Sequence, residues 1–335
     1  RGPDNTSFFF EKKKEFNIGL IHTRLSIIDL KERSNQPFYF KNYILVFNGE
    51  IYNYLELKEI LVSKGYKFYT KSDTEVLVKS FDYWGEKAFS KFQGMWSIIL
   101  YDKIKQQLIV SRDCFGEKPL FLYKSQHGYF LASNINALIS LVGKKFDINE
   151  SHLKRYMANG YKSIYKKNET FFKNIFEFPK NSIIKFSKNL NKKEYKLWKP
   201  DINVRENIKY NDAVKDIRKL IINSVKIRTR SDVDLAFCLS GGVDSNSIIG
   251  IANKGLQQKT HAFSIINKDS RYEETDMINL AIKDQNLKCN KIYLKKKNFL
   301  KNLTKQILHA GRPIYTISYY LQNFLMQKIS SKGFK

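Results

Sequence analysis

The chain has 335 residues and a formal net charge of +27, from 59 Lys and Arg against 32 Asp and Glu. This length suits two domains, each able to bury its own core, and no run of about 18 apolar residues is present to cross a membrane as a helix. Lys is spread over the whole chain beside abundant Asn, Ile, Phe and Tyr, which reads as a generally basic surface in preference to a dedicated nucleic-acid face.

Residue 1 is Arg, not Met, and no basic-then-apolar leader is present. A fragment or a trimmed form is the expectation. Cys114, Cys238 and Cys289 are far apart and fit no metal spacing; reduced thiols in a cytoplasmic protein are the simplest reading.

The first half carries mainly β signals. Residues 17–28 form a long apolar-rich stretch, and Ile44 to Phe47 is a compact apolar run ending at Asn48-Gly49-Glu50. Short strands are predicted over 95–101, 108–112, 120–123 and 129–132, with Asp102-Lys103 and His127-Gly128 as turns. Helical spacing appears twice, over 55–63 and 75–84. Two further strands fall within 170–188 around a turn at Pro179 to Ser182, and residues 195–198 close this part. Many strands with a few helices predict an α+β layered sandwich over 1–198. Residues 199–210, polar and containing Pro200, read as a linker.

Residues 211–335 alternate. A helix over 211–228 carries Val214, Ile217, Ile221 and Val225 on one face. Strands are predicted at 235–239, 261–266 and 292–294, with helices at 243–252, 273–284, 298–309 and 319–330. Phe299, Leu303 and Ile307 form a stripe on the third of these helices, and Lys295-Lys296-Lys297 reads as a solvated loop. Such alternation predicts an α/β doubly wound parallel sheet with ligands at the strand C-terminal ends.

The first of these strands runs into Ser240-Gly241-Gly242-Val243-Asp244-Ser245. Adjacent glycines let the chain turn sharply and let an anion approach the main chain. The helix N-terminus adds positive partial charge. Ser240 and Ser245 supply hydroxyl donors, and Asp244 is placed to hold Mg²⁺ beside phosphate oxygens. A bare Gly-Gly would be an ordinary turn with Asp244 and Ser245 as capping residues, but six such residues after a strand are more specific. The Lys-Ser/Thr ending of a Walker loop is absent.

Three polar constellations stand out in the first half: Arg24-Leu25-Ser26-Ile27-Ile28-Asp29, Asn48-Gly49-Glu50-Ile51-Tyr52-Asn53 and Ser72-Asp73-Thr74-Glu75. Singly they are unremarkable. Asn-Gly is a common turn, Ser72 with Glu75 has capping-box spacing, and Arg24 suits a surface salt bridge.

In this order, together with Arg1 to Asp4, Gly94-Met95 and Arg112 to Pro119, they resemble the glutaminase domain of the N-terminal-nucleophile amidotransferases. The 240–245 loop resembles the pyrophosphate loop of ATP pyrophosphatases. The combination is similar to the glutamine-hydrolysing asparagine synthetase family over essentially the whole chain. The resemblance implies that Arg24 pairs with the carboxylate of glutamine, Asp73 takes its ammonium, and Leu25, Ser26, Ile27, Ile28 and Glu50 frame the pocket. Asn48 and the Gly49 N–H would be an oxyanion hole. It further implies ATP at Leu239, Ser240, Gly241, Gly242, Val243, Asp244, Ser245 and Ile265, with Leu239 and Ile265 flanking the adenine-ribose and Mg²⁺ at Asp244. The loop 269–273 would border the nucleotide. Asn134 stands where the family often has Glu.

The family nucleophile is a cysteine at the mature N-terminus. None of the three cysteines stands there, so the expectation is that the supplied chain does not hydrolyse glutamine while the full-length protein does. The family also continues to a second nucleotide motif beyond Lys335, so the fragment is expected to be poorly stable alone. The implied reaction is glutamine- and ATP-dependent amidation of a carboxylate through an acyl adenylate, with aspartate as acceptor, and a homodimer as the assembly. A sugar acid is the alternative acceptor. A tRNA-modifying ATP pyrophosphatase and a non-catalytic relative are the other readings.

Overall fold

The computed structural model describes residues 2–162, 167–189, 191–200, 202, 207–267, 269, 271, 273–294 and 298–335. The Lys295–Lys297 run lies outside them, as do Ser270 and Tyr272 of the 269–273 loop. The chain forms two compact units, Arg1–Pro200 with Ile307–Tyr315, and Asp201–Gln306 with Thr316–Lys335.

The first unit is built on a six-stranded antiparallel sheet. Its strands are β3 (Phe38–Phe40), β4 (Tyr43–Ile51), β5 (Gly94–Asp102), β6 (Gln107–Arg112), β10 (Ser182–Phe186) and β11 (Lys192–Lys196), in the order β11-β10-β6-β5-β4-β3. Strand β4 explains why its sequence is a continuous apolar run, not an alternation. Leu45 and Phe47 face α1 (Tyr54–Ser63) and α2 (Asp73–Trp84), packing with Leu57, Leu61 and Leu77. Ile44 and Val46 face the other way, onto Leu20 of a hairpin made by β1 (Asn5–Lys12) and β2 (Asn17–Arg24). A strand covered on both faces needs apolar residues at every position.

The hairpin shares its layer with a three-stranded sheet, β8-β7-β9, formed by β7 (Phe121–Ser125), β8 (Gly128–Ala132) and β9 (Ile175–Glu177). Ile99 and Leu108 of the large sheet pack against both pieces. Helix α3 (Ile135–Val142) covers β7 through Leu138. The unit is therefore an α-β-β-α sandwich, as the pattern of strands and helices predicts. Strand β1 and helices α3 and α4 (Glu150–Asn159) are additions to that expectation. Both helices are started by Asn: Asn134 accepts the Ala137 N–H at 3.1 Å and Asn149 the His152 N–H at 3.2 Å.

The second unit holds three parallel strands, β12 (Ala236–Cys238), β13 (His261–Ile266) and β14 (Lys288–Tyr293), in that order. Its helices are α5 (Tyr210–Arg228), α6 (Val243–Gly250), α7 (Thr275–Gln285), α9 (Ile317–Ser330) and the start of α8 (Phe299–Ala310). Ile249, Ile278 and Ala281 of α6 and α7 cover Ala262 and Ile266 on one face of β13. Leu325 and Ile329 of α9 cover Phe263 on the other. Helices on both faces of a parallel sheet make the doubly wound arrangement. Two expectations need correction. The stripe on α5 is buried only at Val225, while Val214, Ile217 and Ile221 are exposed; the period identifies the helix but not what covers it. Helix α6 stops at Gly250 and gives way to a wider turn over Ile251–Gly255.

Candidate functional site

Strand β2 delivers Arg24 to the interior of the first unit, where it is 6% exposed. Its Nη1 donates to the Lys31 carbonyl and to Asn35 Oδ1, each at 2.9 Å, and its Nη2 donates to the carbonyls of Ile28 and Asp29. The guanidinium thus clamps the 28–35 loop from inside. Burial lowers the pKa of Arg24, against the opposing charges of Asp29, Asp4 and Asp73. Asp4 fixes the loop start by accepting the Ser26 N–H at 2.7 Å. Asp29 adopts a positive φ of 49° and accepts the Lys71 N–H at 2.7 Å and Arg33 Nε at 3.1 Å. Burial works against its ionisation, but the donors of Lys71, Arg33, Ser34 and Lys31 hold it down at about 2. Of the pocket residues named from resemblance, Ser26 and Ile28 are buried, Ile27 is half-buried and Leu25 is exposed.

The end of β4 presents Asn48, Gly49 and Glu50, half-buried and opposite Ser97, Trp96 and Met95. Gly49 has φ of 152°, and a Cβ there would lie 2.0 Å from the Met95 carbonyl oxygen. Gly94 is held to the same standard, since its Cβ would lie 2.1 Å from the Glu50 oxygen. Only two glycines allow β4 and β5 to approach this closely.

Asp73 opens α2 and is buried. Its Oδ2 accepts the Ile51 N–H at 3.0 Å. Burial pushes its carboxyl up to about 6, opposed by the Ile51 N–H and the Ser72 hydroxyl. Glu50 is pushed up to about 7, first by burial and then by the Asp73 charge, with Lys118 pulling the other way. The Asp73 charge disfavours ionisation of Glu50, and a cation near both would favour it.

The capping-box expectation is half met. Ser72 accepts the Thr74 N–H at 3.1 Å, but Glu75 does not return to Ser72. It accepts the Thr70 N–H and hydroxyl, each at 2.7 Å, and pairs with buried Lys79 at 2.5 Å.

One positioning residue, Gln36, has no signal in the sequence, and the Arg112 to Pro119 motif acts through bonds that the sequence does not disclose. Gln36 takes the Phe47 N–H on Oε1 at 2.6 Å and donates from Nε2 to Thr74 Oγ1 at 3.3 Å, tying β4 to α2 where β3 has ended. A lone Gln before Pro carries no signal of this. Arg112 to Pro119 forms a self-bonded loop. Asp113 accepts the N–H groups of Phe115, Glu117, Lys118 and Trp96 at 2.9–3.3 Å. Arg112 donates to the carbonyls of Lys118, Phe178 and Gly116 at 2.7–3.0 Å. The loop places the Lys118 charge within range of Glu50.

In the second unit, β12 leads through Leu239 to Gly242, the N-cap of α6. Ser240 N–H donates to Ser245 Oγ and Gly242 N–H to Ser240 Oγ, both at 3.2 Å, and the two hydroxyls lie 3.0 Å apart. Gly241 N–H donates to Glu274 Oε2 at 2.8 Å. Ser240, Gly242, Val243 and Asp244 are exposed and Ser245 is half-buried. The first N–H groups of α6 have no acceptor within the helix, so the loop and helix start have the form of an anion cradle. Leu239 is buried against Ile249 and Ala262, whereas Ile265 packs with Phe263 and Ile292 on the opposite face of the sheet. Their side chains are not brought together.

All three cysteines are free thiols. Burial pushes each pKa up, with the Asp113 charge adding to it at Cys114, which is opposite to what an attacking thiolate needs. Among the described residues no cluster of three or more His, Cys, Asp or Glu suits a metal ion, and no helix is long and apolar enough to cross a membrane.

A glutamine amidotransferase domain model matches residues 1–198, and an asparagine synthase model matches residues 216–335. A protein named putative asparagine synthetase (glutamine-hydrolyzing) 2 of Methanocaldococcus jannaschii is 31% identical, covering 99% of this chain and 68% of its own length. Asparagine synthetase (glutamine-hydrolyzing) 1 of Bacillus subtilis is 28% identical over 99% of this chain and 52% of its own length. Amidase chry2 of Gibberella zeae is 29% identical over 78% of this chain and 38% of its own length. The chain thus spans between about a third and two thirds of these relatives. With both domain models in sequence and a relative of this identity along its whole extent, the chain belongs to the glutamine-hydrolysing asparagine synthetase family.

Proposed function

We propose that the protein takes part in the glutamine- and ATP-dependent amidation of a carboxylate, with aspartate as acceptor and asparagine as product. The observation that carries this reading is the exposed strand–glycine–helix loop at Ser240–Ser245 in a chain whose other unit holds buried Arg24 and Asp73 with half-buried Glu50.

In the first unit the ammonium of glutamine docks between Asp73 and Glu50, and its arrival favours their ionised forms. The Arg24 terminal nitrogens are committed to loop carbonyls, so a substrate carboxylate meets Arg24 by displacing one of them. Asn48 and the Gly49 N–H stabilise the oxyanion, an effect of about 10²–10³ in rate for each donor. The attacking thiol is assigned to none of Cys114, Cys238 and Cys289.

In the second unit, N–H groups and the hydroxyls of Ser240 and Ser245 bind the phosphates of ATP. The acceptor carboxylate attacks the α phosphorus, pyrophosphate leaves, and ammonia then displaces AMP from the acyl adenylate. Asp244, exposed in the first turn of α6, fits a Mg²⁺ site completed by phosphate oxygens, since Mg²⁺ is commonly held by one or two carboxylates plus phosphates. When bound, the ion neutralises charge on the departing pyrophosphate. A second reading has another carboxylate, such as a sugar acid, as the acceptor. An acceptor screen on the intact protein, following AMP and glutamate, separates them. Aspartate-dependent AMP release is expected, and AMP release with a sugar acid but not with aspartate overturns the choice of acceptor.

A further inference from the structure

The Gly241 N–H, at the centre of the glycine turn, is held by the Glu274 carboxylate at 2.8 Å. The contact is close-packed as well as polar. A Cβ on Gly241 would lie 3.0 Å from Glu274 Cβ and 3.1 Å from Met277 Cβ, so the start of α7 rests on the loop. Glu274 is the N-cap residue of α7, yet its side chain makes no bond to its own helix. The neighbouring N–H groups of Ser240 and Gly242 are satisfied by hydroxyls, which rotate freely between partners. Only Gly241 N–H is held by a formal charge.

We propose that Glu274 is the resident anion of the 240–245 loop and the residue that selects polyphosphates over small anions; this rests on the loop being a phosphate site. A ligand phosphate reaches Gly241 N–H only by displacing the carboxylate. An anion that gains this one N–H exchanges one charge-assisted hydrogen bond for another. A triphosphate also gains the open N–H groups at the start of α6 and both serine hydroxyls, and so wins the exchange. Release is inexpensive because Glu274 is exposed and can turn back to the N-terminus of α7, where the helix dipole favours negative charge.

The test is calorimetric titration of the wild type, Glu274→Gln and Ser240→Ala with Mg²⁺-free ATP and with inorganic phosphate. Gln keeps the shape and the acceptor but removes the charge, and unchanged melting temperatures establish that the fold is kept. Glu274→Gln is expected to bind phosphate about fivefold and ATP about twofold more tightly than the wild type, an amount typical of an exposed charge. Phosphate binding no tighter in Glu274→Gln, or ATP binding that weakens, overturns the role of Glu274. If the wild type binds ATP, Ser240→Ala loses it and Glu274→Gln changes nothing, only the carboxylate proposal falls. If ATP binds to none of the three, the phosphate-loop reading falls with it.

Discussion

Asp73 Oδ2 accepts the Ile51 N–H at 3.0 Å, which fastens the first turn of α2 to the end of β4 and sets a second carboxyl within electrostatic range of Glu50. Both groups hold protons more tightly in the fold than in the unfolded chain, with pKa values of about 6 and about 7. Their contribution to stability is therefore full below the ordinary carboxylate range and is lost as pH rises through 6 to 7. Glu50→Gln removes the ionisation. Its melting temperature should match the wild type near pH 4 and exceed it by pH 8. A difference that does not change with pH contradicts this placement of Glu50.

Gly49→Ala tests the close approach of β4 and β5. A Cβ 2.0 Å from the Met95 oxygen on a residue with φ of 152° cannot be accommodated without moving a central strand. Destabilisation of about 2–4 kcal/mol is expected, read as a lower denaturant midpoint. A midpoint equal to the wild type refutes the packing described.

The Glu75–Lys79 pair is 2% exposed on each side and lies among aromatic rings, with Lys79 Nζ 4.5 Å from the Phe68 centroid. Lys79→Met alone leaves a buried carboxylate without its cation and should cost about 3–5 kcal/mol. Glu75→Gln combined with Lys79→Met should cost less than Lys79→Met alone. Chemical denaturation of Lys79→Met, Glu75→Gln and the double variant measures this, and a strictly additive double variant contradicts it.

These two features mark what the sequence discloses and what it hides. The strand at Ile44 to Phe47 was legible because burial on both faces leaves an unbroken apolar run. The glycine loop was legible because strand, turn and helix start are adjacent in sequence. Asp73 was found through motif order, not through any property of the residue itself. Asp29 and Lys118 lie in motifs that carry the family resemblance, but their partners Lys71 and Glu50 are far off in sequence; Gln36 lies in no motif, and nothing local distinguishes it from a loop residue. Glu75 sits at capping-box spacing but pairs with Lys79, because Thr70, five residues back, presents a nearer N–H and hydroxyl. Leu239 and Ile265 were expected to share a ligand, but sequence position does not reveal that their side chains pack on opposite faces of one sheet.

The proposed function rests on the loop beside Asp244 gripping the phosphates of ATP while a carboxylate is activated. The most direct measurement is ATP-dependent AMP formation by the intact protein with glutamine or ammonia and aspartate, comparing the wild type with Asp244→Ala. AMP and pyrophosphate are expected from the wild type and background AMP from the variant. AMP formed by Asp244→Ala at the wild-type rate contradicts this.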